Sequence, residues 1–231
     1  MNTNLPSVKR ENCSQQARDI IEMAIMRGEL KLGEKLVEEK IAQQLNISRV
    51  PVREAFRTLE KYGLVVIKPN NGVWVISPDV NDMEEVYDIR ALNQPYALEL
   101  CFRNSPEKTV RELELQIADF KKLLDHHGDI YDLINQDFKF DEIVFSNCGN
   151  KKLIEIWAIL VPLLKIGFFY NPYFKEVDSV ENNRSHEDII LAFQKGQIEE
   201  AKKLLIDHIM QSKQLICESF RKGGKGKGDN K

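Results

Sequence analysis

LKLGEKLVEEKIAQQLNISRVPVREAFRTLEKYGLVVIKPNNGVWV, residues 30–75, decides the fold of this 231-residue chain. Val37, Ile41 and Leu45 recur at i, i+4 and i+8, one face of a short helix. Asn46 follows, a residue that tolerates the left-handed conformation with which helices end. Ser48 stands where the next helix needs an N-cap, its hydroxyl able to accept a free backbone N–H. Val52, Phe56 and Leu59 form the inward face of that helix, and Tyr62-Gly63 ends it. Its outward face carries Arg49, Arg53 and Arg57, four residues apart. Two apolar runs, Leu64–Ile67 and Val73–Ile76, are joined by Lys68-Pro69-Asn70-Asn71-Gly72, which is hairpin chemistry. A further helix over residues 14–27, with Ala17, Ile20, Ile21, Ala24 and Ile25 as its apolar stripe, precedes them. The order predicts a winged helix-turn-helix whose second helix enters the DNA major groove by its N-terminal end. A helical hairpin with no DNA role competes for the helix-turn-helix pattern taken alone. The wing and the arginine face argue against it.

Outward from this stretch the chain divides. Residues 1–12 read as a flexible arm, residues 13–77 as the DNA-binding head, and Ser77-Pro78-Asp79 as a linker, since proline disfavours helix at the residue before it. Residues 1–78 hold 12 Lys+Arg against 9 Asp+Glu, and residues 79–231 hold 21 against 27, giving the net charge of -3. A mildly basic head on an acidic body suits a DNA reader with a separate sensing domain and excludes a general nucleic-acid coat. No apolar run of 18 residues predicts a membrane span. The N-terminus lacks the apolar core of a signal peptide. Cys13, Cys101, Cys148 and Cys217 have no paired spacing, so they read as reduced thiols in a cytoplasmic protein.

From residue 79 to 221 the periodicity is helical throughout, and six or seven antiparallel helices make a bundle. The fold class is mainly α, with strands confined to the wing. In the bundle's first helix, capped by Asp79 or Asn81, the apolar stripe is Val86, Ile89, Leu92, Tyr96 and Leu100. Leu113, Ile117, Phe120 and Leu124 line the second, and Leu133, Ile134, Phe138 and Val144 the third. A fourth spans residues 151–169, and two more follow over about 179–195 and 197–221. The tail, residues 222–231, reads as disordered. Trp157, Phe168, Phe169, Tyr170, Tyr173 and Phe174 suit either a cavity lining or plain core. His126-His127 reads as exposed and without function.

EEKIAQQLNISRVPVREAFRTLEKYGLV, residues 38–65, resembles the signature of the GntR family of bacterial transcription regulators. The resemblance implies DNA contacts from Ser48, Arg49 and Arg53. Arg49 is then the candidate for guanine, because a guanidinium fork fits the O6/N7 pair bidentately. It also places Asn70, Asn71 and Gly72 at the wing tip beside the minor groove. Position 39, often Arg in relatives, is Glu39 here, and Lys40 is the candidate substitute. A homodimer reading a short inverted repeat in double-stranded DNA follows from the same resemblance.

Residues 79–221 resemble the all-helical FCD effector domain of the FadR-type branch, through "DxxxxEIVFSNCGN", "RSHEDIILAFQKGQIEEA" and "LLIDHI". In many relatives this domain holds a divalent metal through an Asp and three His. The matching positions are Asp137, Asp141, His186 and His208, with Asp141 where relatives carry His. Imidazoles with carboxylates suit Zn²⁺, Mn²⁺ or Ni²⁺. Arg90 matches a position that often faces the cavity and suits the carboxylate of a small organic acid effector. Gln94 stands where a Glu is common. The plainer alternatives are two hydrogen-bonded bundle histidines, a solvated Asp pair, and an Arg90 on the surface paired with Glu85 or Gln94. Two functional alternatives stay open: a metal-free sensor of acyl-CoA or another ligand, and a metal-dependent hydrolytic enzyme. The enzyme needs an open metal position and a placed base, which the sequence does not offer.

Overall fold

The computed structural model describes residues 13–126, 129–171 and 179–224, with the side chains of residues 179–184 left out. The predicted arm, His127, Tyr173, Phe174 and the end of the tail lie outside the described residues. The chain separates into two compact units, Met1–Ser77 and Pro78–Lys231.

In the first unit, α1 (Cys13–Met26), α2 (Glu38–Gln44) and α3 (Arg49–Lys61) are combined with β1 (Lys35–Leu36), β2 (Val65–Lys68) and β3 (Gly72–Val75). Ala17, Ile21 and Ile25 of α1 and Val52, Ala55, Phe56 and Leu59 of α3 are buried. Ile20 of the expected stripe is half exposed. Val37 is also exposed, because α2 begins one residue later and uses Val37 as its N-cap. Asn46 closes α2 with φ 52°, the left-handed residue its type suggests. The sheet has three strands in the order β1-β3-β2, all antiparallel, rather than a hairpin alone. Two residues, Lys35 and Leu36, are too few to carry a strand pattern, so β1 was illegible in the sequence.

In the second unit, α4 (Val80–Asn104), α5 (Pro106–Asp125), α6 (Ile130–Asn147), α7 (Lys151–Phe169), α8 (Ser179–Gln194) and α9 (Ile198–Gly224) pack around one core. Asp79 starts α4 through a capping box: its carboxylate accepts from the N–H groups of Asn81 and Asp82, and Asp82 accepts from the N–H of Asp79. Helix α4 lies against α9, α7 and α6, and α8 lies against α9 and α5. The last helix continues through Gly224, so Lys222–Gly224 are helical rather than tail. No helix among the described residues is long and apolar enough to cross a membrane.

The expected inward face of α4 is corrected in part. Val86 is buried, but Ile89, Leu92 and Tyr96 are exposed, Leu92 by 77%. The buried side instead carries Met83, Tyr87, Arg90, Gln94, Ala97, Leu98 and Cys101. This helix has two apolar stripes, and a pattern read from one of them cannot say which faces the core.

Candidate functional site

The head gathers its basic side chains on α3 and the wing. Ser48 occupies the α3 N-cap in extended conformation but makes no side-chain cap hydrogen bond, contrary to the expected cap. Arg49 and Arg53 stand one turn apart at the start of α3, both more than half exposed. Neither Glu54 nor Glu60 pairs with Arg53. Glu38 of α2 does: Arg53 donates through Nε at 3.0 Å and Nη2 at 2.8 Å, and Arg49 donates through Nε at 3.1 Å. The Arg53 hydrogen bond foremost, with Arg49, holds the Glu38 carboxyl below its ordinary pKa. Glu39 and Lys40 are both exposed beside it.

At the wing, Asn70 and Gly72 have φ 58° and 84°, and Asn71 N–H donates to the Lys68 carbonyl at 3.0 Å. Asn70, Asn71 and Gly72 are exposed at the tip. A Cβ at position 72 would stand 3.2 Å from Cε of Lys35, so the glycine also admits that lysine. Nζ of Lys35 and of Lys68 lie 5.4 and 5.1 Å from the Trp74 ring, and Trp74 Nε1 donates to the Asn71 carbonyl. The cation–π contacts hold two ammonium groups at the wing. Sequence reasoning missed Lys35, Lys68 and Trp74; the alternation of Trp74 with the lysines across the strands was the available signal.

In the second unit a polar cluster sits inside the bundle. Arg90 is buried and donates from Nη2 to Asp141 Oδ2 at 2.8 Å and from Nε to Gln94 Oε1 at 2.8 Å. Gln94 Nε2 in turn donates to Asp141 Oδ1. Three residues thus close a ring, and both Asp141 oxygens are engaged. Burial pushes the Asp141 carboxyl upward, opposed by Arg90 and Gln94. With a guanidinium in contact the pair is ionic and carries no net charge. Asp137, one turn away, has Oδ1 at 3.8 Å from His186 Nδ1. The rings of His186 and His208 lie 4.7 Å apart, and Phe140 stacks on His186 at 4.1 Å. Burial, foremost, holds both imidazoles neutral: His186 is pushed well below its ordinary pKa and His208 down to about 3.

The fit to a metal is therefore partial. Asp137 lies near His186 and His186 near His208, and neutral imidazoles are the form that ligates. Asp141 is turned to Arg90 instead. Among the described residues no three His, Cys, Asp or Glu side chains form a metal-holding group. The plainer alternatives also need revision, because Arg90 and both aspartates are buried rather than solvated. Tyr87, missed in the sequence although it lies three residues before Arg90, is fully buried, and its hydroxyl has no hydrogen-bond partner. Its ring lies 5.8 Å from the Arg90 guanidinium carbon. Trp157 stacks on Phe145, and Phe168 meets Phe138 edge-on, so these aromatics are core. His126 is exposed.

The neutral histidines set an acid limit on stability. In the unfolded chain each imidazole takes up a proton near its ordinary value of 6.5, whereas the folded bundle resists protonation to a much lower pH. Folded stability therefore falls as pH drops below 6.5, by about 1.4 kcal/mol per pH unit for each histidine. Urea unfolding between pH 7.5 and 5 should show this slope, and His208→Gln should reduce it. Equal slopes in the two proteins would refute the assignment.

A three-helix head with an antiparallel wing and an exposed arginine pair is a winged helix-turn-helix, a DNA-binding class. Residues 13–75 match the family of bacterial regulatory proteins, gntR family, and residues 85–211 match the FCD domain. The chain belongs to the GntR family of transcriptional regulators, in its FCD-bearing branch, and is not an enzyme. It is 29% identical over 187 residues to the HTH-type transcriptional regulator YdhC of Bacillus subtilis (strain 168), covering 80% of this chain and 82% of that one. It is 29% identical over 210 residues to a protein of Paenarthrobacter nicotinovorans described as "Probable D-xylose utilization operon transcriptional repressor", covering 90% and 91%. Its fold is similar to that of McbR/YncC of E. coli, with a TM-score of 0.76 at 19% identity over 90% of this chain and 98% of that one.

Proposed function

We propose that this chain is a cytoplasmic repressor that binds a short inverted-repeat operator as a homodimer and responds to a small organic acid held in the helical unit. The observation that carries the reading is the pairing of an exposed Arg49–Arg53 reading edge in the first unit with a buried, partly unsatisfied polar cluster in the second. Ser48 supports it, since its hydroxyl is left over from capping. Lys40 and the wing residues Asn70, Asn71 and Gly72 would flank the reading helix on the phosphate backbone and minor groove. The test is binding to duplexes selected from a random pool, repeated across salt. Phosphate contacts impose a steep fall of affinity with salt, and a flat profile would exclude operator binding.

The exposed stripe of α4 supports the homodimer. Gly167 of α7 stands against Met83 of α4, while Tyr96, Leu100 and Asn104 share a surface recess with residues 148–152. The two helices therefore run antiparallel, which brings Ile159 level with Leu92 and Ile154 level with Tyr96. Ile89, Leu92, Tyr96, Ile154 and Ile159 are all exposed, and exposed apolar side chains gathered on two packed helices suit an interaction surface. A two-fold dimer uses the same patch on both copies. Leu92→Asp should yield a monomer by analytical ultracentrifugation, with a folded helical spectrum. A dimer that persists at micromolar protein places the interface elsewhere.

The effector carboxylate would take the Arg90 fork in exchange for Asp141. Such a ligand alters operator affinity only to the extent that it prefers one arrangement of the heads. A second reading adds a divalent metal (Zn²⁺, Mn²⁺ or Ni²⁺) on Asp137, Asp141, His186 and His208. It is favoured by the two adjacent neutral imidazoles beside Asp137, and it requires Asp141 to leave Arg90. Metal content of protein purified without chelator decides between them. About one ion per chain, lost on joint His186→Ala and His208→Ala substitution, supports the metal form. Its absence after offering Mn²⁺, Zn²⁺ and Ni²⁺ supports a metal-free sensor, of acyl-CoA or another ligand.

A further inference from the structure

The start of α2, beside the recognition helix α3, carries a feature that DNA binding alone does not call for. Glu38 is an acid within hydrogen-bond distance of both arginines that face the DNA, at a surface where negative charge opposes phosphate. It is not needed to hold the head together: α2 is anchored by buried Ile41 and Ala42, and α3 by buried Val52, Ala55, Phe56 and Leu59. An exposed ion pair adds little to stability.

The atoms used are unequal. Arg53 gives Glu38 its Nε and Nη2, one of the two edges with which a guanidinium makes a bidentate contact. Arg49 gives only Nε, and its Nη1 and Nη2 have no partner among the described residues. We propose that Glu38 is the positioning residue of DNA recognition: it fixes Arg49 with its Nη1/Nη2 fork outward for bidentate guanine readout, and it clamps Arg53 by its Nε/Nη2 edge, leaving the remaining N–H donors of Nη1 and Nη2 for a phosphate. Glu38 also tunes specificity, because two arginines tied to a carboxylate are poor at collecting phosphates on arbitrary sequence. The inference rests on the reading of α3 as the recognition helix.

The test compares wild type, Glu38→Ala, Glu38→Gln and Arg49→Ala on the selected operator duplex, on the same duplex with 7-deazaguanine at the half-site guanines, and on a scrambled duplex. 7-Deazaguanine lacks the N7 acceptor of the bidentate contact. Wild type should lose at least tenfold affinity on the deaza duplex. In Glu38→Ala the operator-to-scrambled ratio should fall at least tenfold, and the deaza penalty should shrink. Its affinity for scrambled DNA should rise about threefold or more, with a steeper salt slope from the freed guanidinium groups. Glu38→Gln, which keeps an acceptor but not the charge, should fall between. Unchanged ratios, or a parallel loss on all three duplexes, would overturn the proposal, the latter because a merely structural residue lowers every affinity together. Arg49→Ala separates the two levels. If it leaves the ratio intact, the recognition-helix reading fails. If it collapses the ratio while Glu38→Ala does not, only the role of Glu38 fails.

Discussion

Arg49→Ala is expected to abolish operator discrimination while leaving the fold unchanged. A bidentate arginine–guanine contact contributes about 1–3 kcal/mol of preference over the wrong base. The proposed dimer would make the contact twice, so the expected loss is about 2–6 kcal/mol, or roughly 30-fold to more than 10⁴-fold in affinity for the selected operator. The side chain is 59% exposed, and its one ion pair is at the surface, so the melting temperature should stay within a degree or two. Arg49→Lys sharpens the result. Lysine keeps the charge but not the fork, so the salt slope should persist while the preference for guanine goes. Arg57→Ala, about two turns farther along α3, should instead weaken all duplexes alike and by much less. Gel-shift or fluorescence anisotropy titrations on selected and scrambled duplexes read all three. Equal losses for Arg49→Ala and Arg57→Ala on both duplexes would remove base readout from Arg49.

The contrast between the two units explains what could be read in advance. The head is built from contiguous sequence: the turn at Asn46, the N-cap at Ser48 and the tip at Asn70–Gly72 are local, and each residue type announces its own backbone conformation. The positions of Arg49 and Arg53 follow from helix spacing alone. Their partner did not follow, because Glu38 lies 11 and 15 residues away and the nearer acids Glu54 and Glu60 satisfy the same rule of charge. The bundle was legible as helices, with α7 at its expected bounds, but not as a pattern of faces. Ile89, Leu92 and Tyr96 keep helical spacing and yet face outward, since an apolar stripe on a surface has the same period as one in a core. The ring of Arg90, Gln94 and Asp141 joins positions 47 and 51 residues apart. Only the departures at 94 and 141 hinted that they belong together.

That ring predicts a second large effect, on stability. Arg90 and Asp141 are 3% and 4% exposed, so removing one leaves a buried charge without its partner. Asp141→Ala and Arg90→Ala should each cost about 3–5 kcal/mol, a sizeable part of the roughly 5–15 kcal/mol that holds a typical domain. Asp141→Asn, which keeps one acceptor oxygen for either Arg90 or Gln94, should cost less than Asp141→Ala. The double substitution Arg90→Met with Asp141→Leu should be less destabilised than either alanine variant, because well-packed apolar groups replace a buried pair at little cost. Urea midpoints at pH 7.5 measure all four. A double variant whose loss equals the sum of the two alanine losses would mean that the residues do not act as a pair. The recovered double variant then becomes the sharpest probe of sensing. With the head untouched it should bind operator as wild type does. With neither a guanidinium to receive an effector carboxylate nor Asp141 to be displaced, it should stay on DNA when a small organic acid that releases the wild type is added. Release of both proteins by the same acid would move the effector site away from Arg90.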